Sequence, residues 1–303
     1  RDLNNYNFFD AFKGGEEIFY FMPGLRYFSS LNNIIFGDTA YGYLIFCTFI
    51  PLLIYLIFEK LINKKIAIIL FSSFIFLPIF ENMGFGFFNY IWQFARNHAE
   101  TLSITIILFN LYKISEKNFI QKLNITTVFL CCFLLAVSVI CRPNFLPTTT
   151  LIFIYFLIFG YSKNYKLAIA AIFGYSFASL SLIHNLYFGN KFILFTESSV
   201  HFAINEVSQK LNFTEDDNII FSQLSKWNPL YNFHRLIILL FIFYSFIKNK
   251  KNSFIWLMIS CIFFQHLVLL LTHPDSRYAY LAWLLTFILF VYYLFNFNLK
   301  KLK

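Results

Sequence analysis

The sequence has few charged residues, which fill only 13% of its 303 positions, against roughly a quarter in an average soluble domain. Hydrophobic residues make up 59% of it. This balance excludes an ordinary soluble domain and predicts an integral membrane protein.

Glycine is also scarce, with 10 residues. The sequence contains no glycine-rich phosphate loop, dinucleotide fingerprint or Ser-His-Asp signature. Because the chain offers no soluble domain to hold a nucleotide either, chemistry driven by a bound nucleotide is disfavoured. We expect no nucleic-acid partner.

Cysteine is equally sparse, and its five positions lack the spacing of a metal site or a disulfide framework. All of them lie in or at the ends of apolar runs, so we interpret them as packing residues. Histidine spacings such as His-Glu-x-x-His are missing too, so we interpret the histidines as interfacial or packing residues. We predict no cofactor and leave a divalent metal open. The cysteines are Cys47, Cys131, Cys132, Cys141 and Cys261.

Long apolar segments recur along the chain. A helix needs about 20 apolar residues to cross the hydrocarbon core, and nine segments approach that length. They predict an all-α fold, a polytopic transmembrane bundle. The predicted spans are 40–58, 66–80, 98–113, 125–141, 146–160, 166–183, 234–248, 254–272 and 278–297.

The connections between these spans alternate in character. Short Lys-rich connections alternate with others that are longer or carry acids and aromatic residues, and Lys-rich loops remain cytoplasmic. Nine crossings then place residue 1 outside the cytoplasm and residue 303 inside. The chain begins at Arg1 within an apparent loop, so we expect one further span before it.

This topology predicts that the functional site is formed by external loops. We expect a bacterial inner (plasma) membrane protein whose site faces the periplasm or the exterior. The predicted parts are a first external loop at 1–39, a transmembrane core at 40–183, an external loop at 184–233, and C-terminal transmembrane helices at 234–303.

Five arginines fall on the predicted external side, although the positive-inside rule does not call for basic residues there. The planar guanidinium favours bidentate binding of phosphate or carboxylate, which indicates an anionic ligand. Pairing with external acids or lipid headgroups is the alternative. These arginines are Arg26, Arg96, Arg142, Arg235 and Arg277.

The first external segment is rich in acids. An ionised carboxylate there is a candidate general base for a hydroxyl nucleophile, and Asp2 is the best placed. It precedes Tyr6 by four residues, the spacing of one helical face. Capping of a helix is the alternative role for Asp2. Asp10, Glu16 and Glu17 lie in the same segment.

Two further motifs interrupt the apolar runs. Pro143 is expected to end the preceding helix and to leave Arg142 at the outer membrane boundary, where it snorkels to the interface or captures a phosphate. The segment from His273 to Tyr278 forms a short external turn. Turn chemistry accounts for its proline, aspartate and serine but not for Arg277 and Tyr278.

Taken together, these motifs resemble the C-type-fold membrane glycosyltransferases, the superfamily of protein O-mannosyltransferases and lipid A aminoarabinose transferases. Members share an acid shortly after the first span, a tyrosine four residues later, then a small residue, a glycine and a Pro-Gly or Pro-Pro segment. Relatives often have a second acid where this chain has Leu3. The matching positions here are Asp2, Tyr6, Ala11, Gly14, residues 22–28 and 36–38, Glu100, Arg142-Pro143, and residues 184–189 and 275–278.

The resemblance implies transfer of a sugar from a polyprenyl-phosphate donor to a lipid, glycan or protein acceptor at the external membrane face, with inversion at the anomeric carbon. Asp2 would be the general base, with Asp10 in reserve. The expected donor-phosphate ligands are Arg142, Arg277, Arg26 and Tyr278, and the expected substrate contacts are Tyr6, Tyr27, Glu100 and His273.

Two other functions fit a multispanning chain of this kind. An O-antigen polymerase or ligase should depend on arginines in its large external loop, yet 184–233 contains no arginine, and Arg235 lies just beyond it. A lipid or solute transporter should place polar groups near the bilayer midplane, whereas this chain concentrates charge at one face. The glycosyltransferase therefore ranks first.

Overall fold

The structure is a computed structural model that describes residues 8–13, 22–37, 39, 41–82, 84–96, 98–116, 118–195, 233–248, 252–271 and 276–301. Within those residues the regular structure is entirely helical, which confirms the all-α prediction for them. The helices are α1 Phe8–Lys13, α2 Pro23–Phe36, α3 Tyr41–Cys47, α4 Phe49–Leu61, α5 Lys64–Phe76, α6 Ile79–Asn82, α7 Phe87–Ala95, α8 Ala99–Ile114, α9 Phe119–Lys122, α10 Ile125–Cys141, α11 Leu146–Lys163, α12 Tyr165–Ser176, α13 Leu180–Gly189, α14 Phe233–Lys248, α15 Ser253–Leu271 and α16 Ser276–Lys301.

Every predicted span falls on one of these helices or on consecutive ones. In the described part of the chain, four helical stretches are long and apolar enough to cross a membrane. The count of nine crossings and the external position of the loops stay predictions. The four stretches are Tyr41–Leu61, Pro143–Lys163, Tyr165–Gly189 and Tyr278–Phe295.

Local sequence signals fix the ends of α10. The Asn124 side chain accepts a hydrogen bond of 2.7 Å from the Thr127 backbone nitrogen and so caps the first turn. At the other end Pro143 follows directly, and Arg142 adopts an extended backbone with φ −149° and ψ 104°. The predicted end of the helix at this proline is confirmed, and Arg142 takes its position from it.

Helices α2 and α7 lie in segments predicted to be connections between spans. α2 falls within 1–39 and α7 within 81–97. Both are too short to cross a bilayer at 1.5 Å per residue, so the sequence does not mark them as membrane spans. Pro23 opens α2, where its missing N–H and fixed φ suit a first helical turn.

The cysteines are free thiols, four of them buried and Cys47 half-buried, in keeping with their interpretation as packing residues. The chain divides into two compact units, and the predicted domain boundaries stay predictions. The first unit comprises residues 1–50, 91–110 and 120–204, and the second comprises 51–90, 111–119 and 205–303.

In the first unit, α10 and α12 pack closely through a small residue. A Cβ added to Gly174 would lie 2.6 Å from the carbonyl oxygen of Phe129, so only glycine lets the two backbones approach this far. The ring of Phe173 stacks on that of Phe129 at 5.8 Å. α10 and α12 together form the frame that holds the end of α10, and with it Arg142, in place.

In the second unit, one aromatic residue of α16 holds several elements together. The ring of Phe287 lies 6.1 Å from that of Phe58, 5.0 Å from Phe80 and 5.2 Å from Phe85. Edge-on and tilted ring contacts of this kind add to the stabilisation from apolar burial.

Candidate functional site

A buried ion pair joins two of the residues singled out by the sequence. The Nη2 atom of Arg142 lies 3.1 Å from Oε1 of Glu100, whose side chain is only 2% exposed, while that of Arg142 is 26% exposed. Glu100 lies in the first turn of α8, where a negative charge is favoured by the helix dipole. The pair therefore holds a partly exposed guanidinium at the end of α10, and its burial favours a positioning role for Glu100.

Helix α2 lies against the end of α10, directly beside this pair. A Cβ on Gly24 would lie 2.7 Å from the Sγ atom and 2.8 Å from the backbone nitrogen of Cys141, the residue before Arg142. Cys141 also belongs to an apolar cluster with Leu102 of α8, on which Phe28 of α2 packs. Gly24 thus brings the helix that carries Arg26 and Tyr27 to the end of α10.

Gly24→Ala tests this close approach. Because the new methyl group meets backbone atoms of α10, α2 has to shift, and overpacking of this kind costs about 1–3 kcal/mol. We expect a lower free energy of unfolding for the detergent-solubilised protein. Gly160→Ala is the matched control, since its nearest atom is Cβ of Leu167 at 3.2 Å. Equal losses in the two variants would contradict the proposed contact.

A single backbone carbonyl ties α1 to two other helices of the same unit. The Tyr27 hydroxyl donates a hydrogen bond of 2.9 Å to the carbonyl oxygen of Phe12. The Nε2 atom of His184 lies 3.0 Å from the same oxygen, and because a carbonyl only accepts, that nitrogen carries the proton. α1, which carries Asp10, is therefore held against α2 and α13.

Aromatic packing supports this arrangement. Phe12 meets Tyr27 edge-on at 6.2 Å, and Phe9 lies 5.4 Å from Phe188 of α13. The half-buried environment raises the pKa of Tyr27 above its ordinary value, and neighbouring Arg26 partly offsets that rise. Tyr27 consequently stays a neutral hydrogen-bond donor at physiological pH.

The segment after α13 folds back onto this helix. The Nδ2 atom of Asn185 donates to the carbonyl oxygens of Ile193 at 2.7 Å and Phe195 at 3.1 Å. The Ser181 hydroxyl donates to the carbonyl of Leu194 at 2.7 Å. Three backbone carbonyls are thus satisfied by two polar side chains. These contacts hold the part of α13 from Ser181 to Asn185, which includes His184, against the segment that follows the helix.

The structure places five predicted site residues in the first unit. Glu100 and Arg142 are paired, Asp10 is exposed on α1, and Arg26 and Tyr27 lie on α2. The structure adds His184 and Phe12 to this set. In the sequence, His184 is marked only by its place in the segment 184–189, which matches the resembling family. Phe12 contributes a backbone carbonyl, which no sequence motif marks.

The remaining predicted site residues lie in the second unit or outside the described part of the chain. Asp2, Tyr6 and His273 lie outside the described residues. Arg277 belongs to α16, and its side chain also lies outside the described part. Tyr278 is half-buried at the start of the same helix, in the second unit.

Comparison of the chain with protein-family models, curated protein sequences and solved structures gives no match in any of the three. In the described part of the chain, no three side chains of His, Cys, Asp or Glu gather into a potential metal site. The prediction that the protein needs no cofactor stays a prediction.

Proposed function

We propose that this protein is a membrane glycosyltransferase that moves a sugar from a polyprenyl-phosphate donor to a lipid, glycan or protein acceptor. The proposal places it in the bacterial inner (plasma) membrane, with the site facing the periplasm or the exterior. The observation that carries the proposal is the partly exposed guanidinium of Arg142, which a buried carboxylate holds at the end of a helix.

The ion pair suits phosphate binding for a physical reason. A guanidinium presents its N–H donors in a planar fork that matches the oxygens of a phosphate. Glu100 fixes the orientation of Arg142 before any ligand arrives, so the site loses little side-chain entropy on binding. A charge at the edge of an apolar environment also interacts more strongly with a phosphate than it does in water.

The proposed reaction is a single displacement at the anomeric carbon. A hydroxyl oxygen of the acceptor forms the new bond to that carbon while the bond to the phosphate oxygen breaks, and the electron pair leaves with the phosphate. A carboxylate, Asp2 or Asp10, takes the hydroxyl proton. Arg142 stabilises the charge that develops on the leaving phosphate, and Arg26 lies on the neighbouring α2.

Sequence and structure support this assignment in two ways. The motifs resemble those of the C-type-fold transferases along most of the chain. Within the first unit, the close approach at Gly24 brings the helix of Arg142 to α2. The carbonyl of Phe12 joins the helix of Asp10 to Tyr27 of α2 and to His184 of α13, so acid and arginine are attached to one frame.

The experiment measures transfer of labelled sugar from a panel of polyprenyl-phosphate donors by the full-length protein in membranes. We expect transfer by the wild type and a loss of about 10- to 100-fold in Arg142→Lys, because lysine keeps the charge but loses the fork of charge-assisted hydrogen bonds, worth about 1.5–3 kcal/mol.

Lys60→Arg is the matched control. Lys60 forms an ion pair of the same 3.1 Å length with Glu116, and the exchange keeps its charge, so transfer should match the wild type. Absence of transfer from every donor would reject the proposal and favour a polymerase, a ligase or a transporter. Full activity of Arg142→Lys would remove Arg142 from phosphate binding.

A further inference from the structure

Helix α7 presents an apolar face that the other residues described by the structure leave uncovered. Its side chains Tyr90 and Phe94 are buried, whereas Phe88 is 66% exposed and Trp92 is 43% exposed. Phe88 and Trp92 are four residues apart and therefore share one side of the helix, with Ile91 between them on the same side.

The buried side of α7 shows where this helix lies. The ring of Phe94 stacks on Phe46 at 5.3 Å and meets Tyr43 edge-on at 5.3 Å. Both partners belong to the first two turns of Tyr41–Leu61, a helical stretch of membrane-spanning length. α7 therefore packs against the start of a stretch long enough to cross the hydrocarbon core, and the ends of such a stretch are expected at the level of the headgroups.

A basic residue, Arg96, lies against the exposed face of α7. The guanidinium carbon of Arg96 lies 4.0 Å from the centre of the Trp92 ring, and the His98 ring lies 6.2 Å from it. Among the residues that the structure describes, no carboxylate forms an ion pair with Arg96. The contact with tryptophan orients the guanidinium without neutralising its charge.

We infer that α7 is an interfacial helix whose exposed face lies in the lipid, with Arg96 binding the headgroup phosphate of an anionic phospholipid. Tryptophan favours the interface because its ring is apolar and its N–H is polar. A short helix with one apolar face and a basic residue at its edge binds at the surface of a bilayer, and the positive charge selects anionic lipid. This inference does not depend on the proposed function.

The test is the depth and lipid dependence of Trp92 fluorescence quenching. The full-length protein is reconstituted into phosphatidylcholine vesicles that contain phosphatidylglycerol, with bromine at different acyl positions of one lipid at a time. The Trp92 signal is the difference between wild type and Trp92→Phe. We expect the strongest quenching from bromines nearest the headgroup.

Brominated phosphatidylglycerol should quench more than brominated phosphatidylcholine at equal content, because about 1 kcal/mol per basic residue near the surface enriches anionic lipid about fivefold. Arg96→Gln should abolish that preference and keep the shallow depth. The signal of Trp283, taken from Trp283→Phe, is the control: this side chain is 2% exposed and should be quenched little.

Three results would overturn the inference. Quenching strongest from bromines at the bilayer centre would place α7 in the hydrocarbon core. Quenching of Trp92 no greater than that of Trp283 would remove it from the lipid. Equal quenching by the two brominated lipids in the wild type would exclude a bound anionic headgroup.

Discussion

Asparagine in place of Asp2 is expected to lower sugar transfer by about 10²–10⁴-fold, the usual contribution of a positioned general base. Asparagine has nearly the same size and keeps a hydrogen-bonding oxygen, but it cannot take the proton of the acceptor hydroxyl. The readout is the initial rate of labelled sugar transfer at equal protein content in membranes. Because the amide retains an oxygen for capping, a residue that only caps a helix should tolerate this exchange.

Asp10→Asn is the paired comparison, since Asp10 is the second candidate base. Its carboxylate is exposed on α1, and the carbonyl of Phe12 fixes that helix to Tyr27 and His184. If Asp10 is the base, Asp10→Asn should show the large loss of sugar transfer, and Asp2→Asn should remain active. Glu116→Gln, in a Lys-rich connection, serves as the control and should retain transfer. Full activity of both aspartate variants would reject general-base catalysis by either acid.

The long helices could be predicted from the sequence, because the length of an apolar run and the residues at its ends indicate where a helix lies. The end of α10 at Arg142 follows from Pro143 alone, since proline restrains the residue before it. By contrast, α2 and α7 were missed as helices. Both helices are short, and polar residues interrupt their apolar ones, so neither forms an apolar run of membrane-spanning length.

The arrangement of the site needed the three-dimensional structure. Glu100 and Arg142 are each predictable as site residues, but their pairing joins positions 42 residues apart by sequence number. The link from α1 to α13 spans 172 residues and rests on a main-chain oxygen of Phe12. Every residue carries such an oxygen, so no pattern of side chains predicts which carbonyl accepts these hydrogen bonds.

The buried ion pair gives the largest expected effect on stability. Arg142→Gln removes the cation that lies 3.1 Å from the Glu100 carboxylate, which is 2% exposed, and breaking a buried pair in this way costs about 3–5 kcal/mol. Glu100→Gln should cost less, because the Arg142 side chain is 26% exposed and partly reaches solvent. The measurement is the free energy of unfolding in mixed micelles, obtained by titration with sodium dodecyl sulfate.

The double variant completes the cycle. With both charges removed, no buried ion remains unpaired, so Glu100→Gln with Arg142→Gln should be more stable than Arg142→Gln alone. The pair of Lys60 and Glu116 is the control: it has the same 3.1 Å separation but side chains 25% and 20% exposed, and its removal should cost less than about 1 kcal/mol. Additive losses at Glu100 and Arg142 would show that the two residues do not interact.

This cycle also decides how a loss of transfer in Arg142 variants is interpreted. Lysine at position 142 keeps a cation beside Glu100, so Arg142→Lys should lose much less stability than Arg142→Gln. A variant that is folded yet slow in transfer would separate the phosphate-binding fork from the structural charge pair. If Arg142→Lys instead unfolds as readily as Arg142→Gln, the geometry of the guanidinium stabilises the fold itself, and its part in phosphate binding has to be measured through donor affinity in the fraction that remains folded.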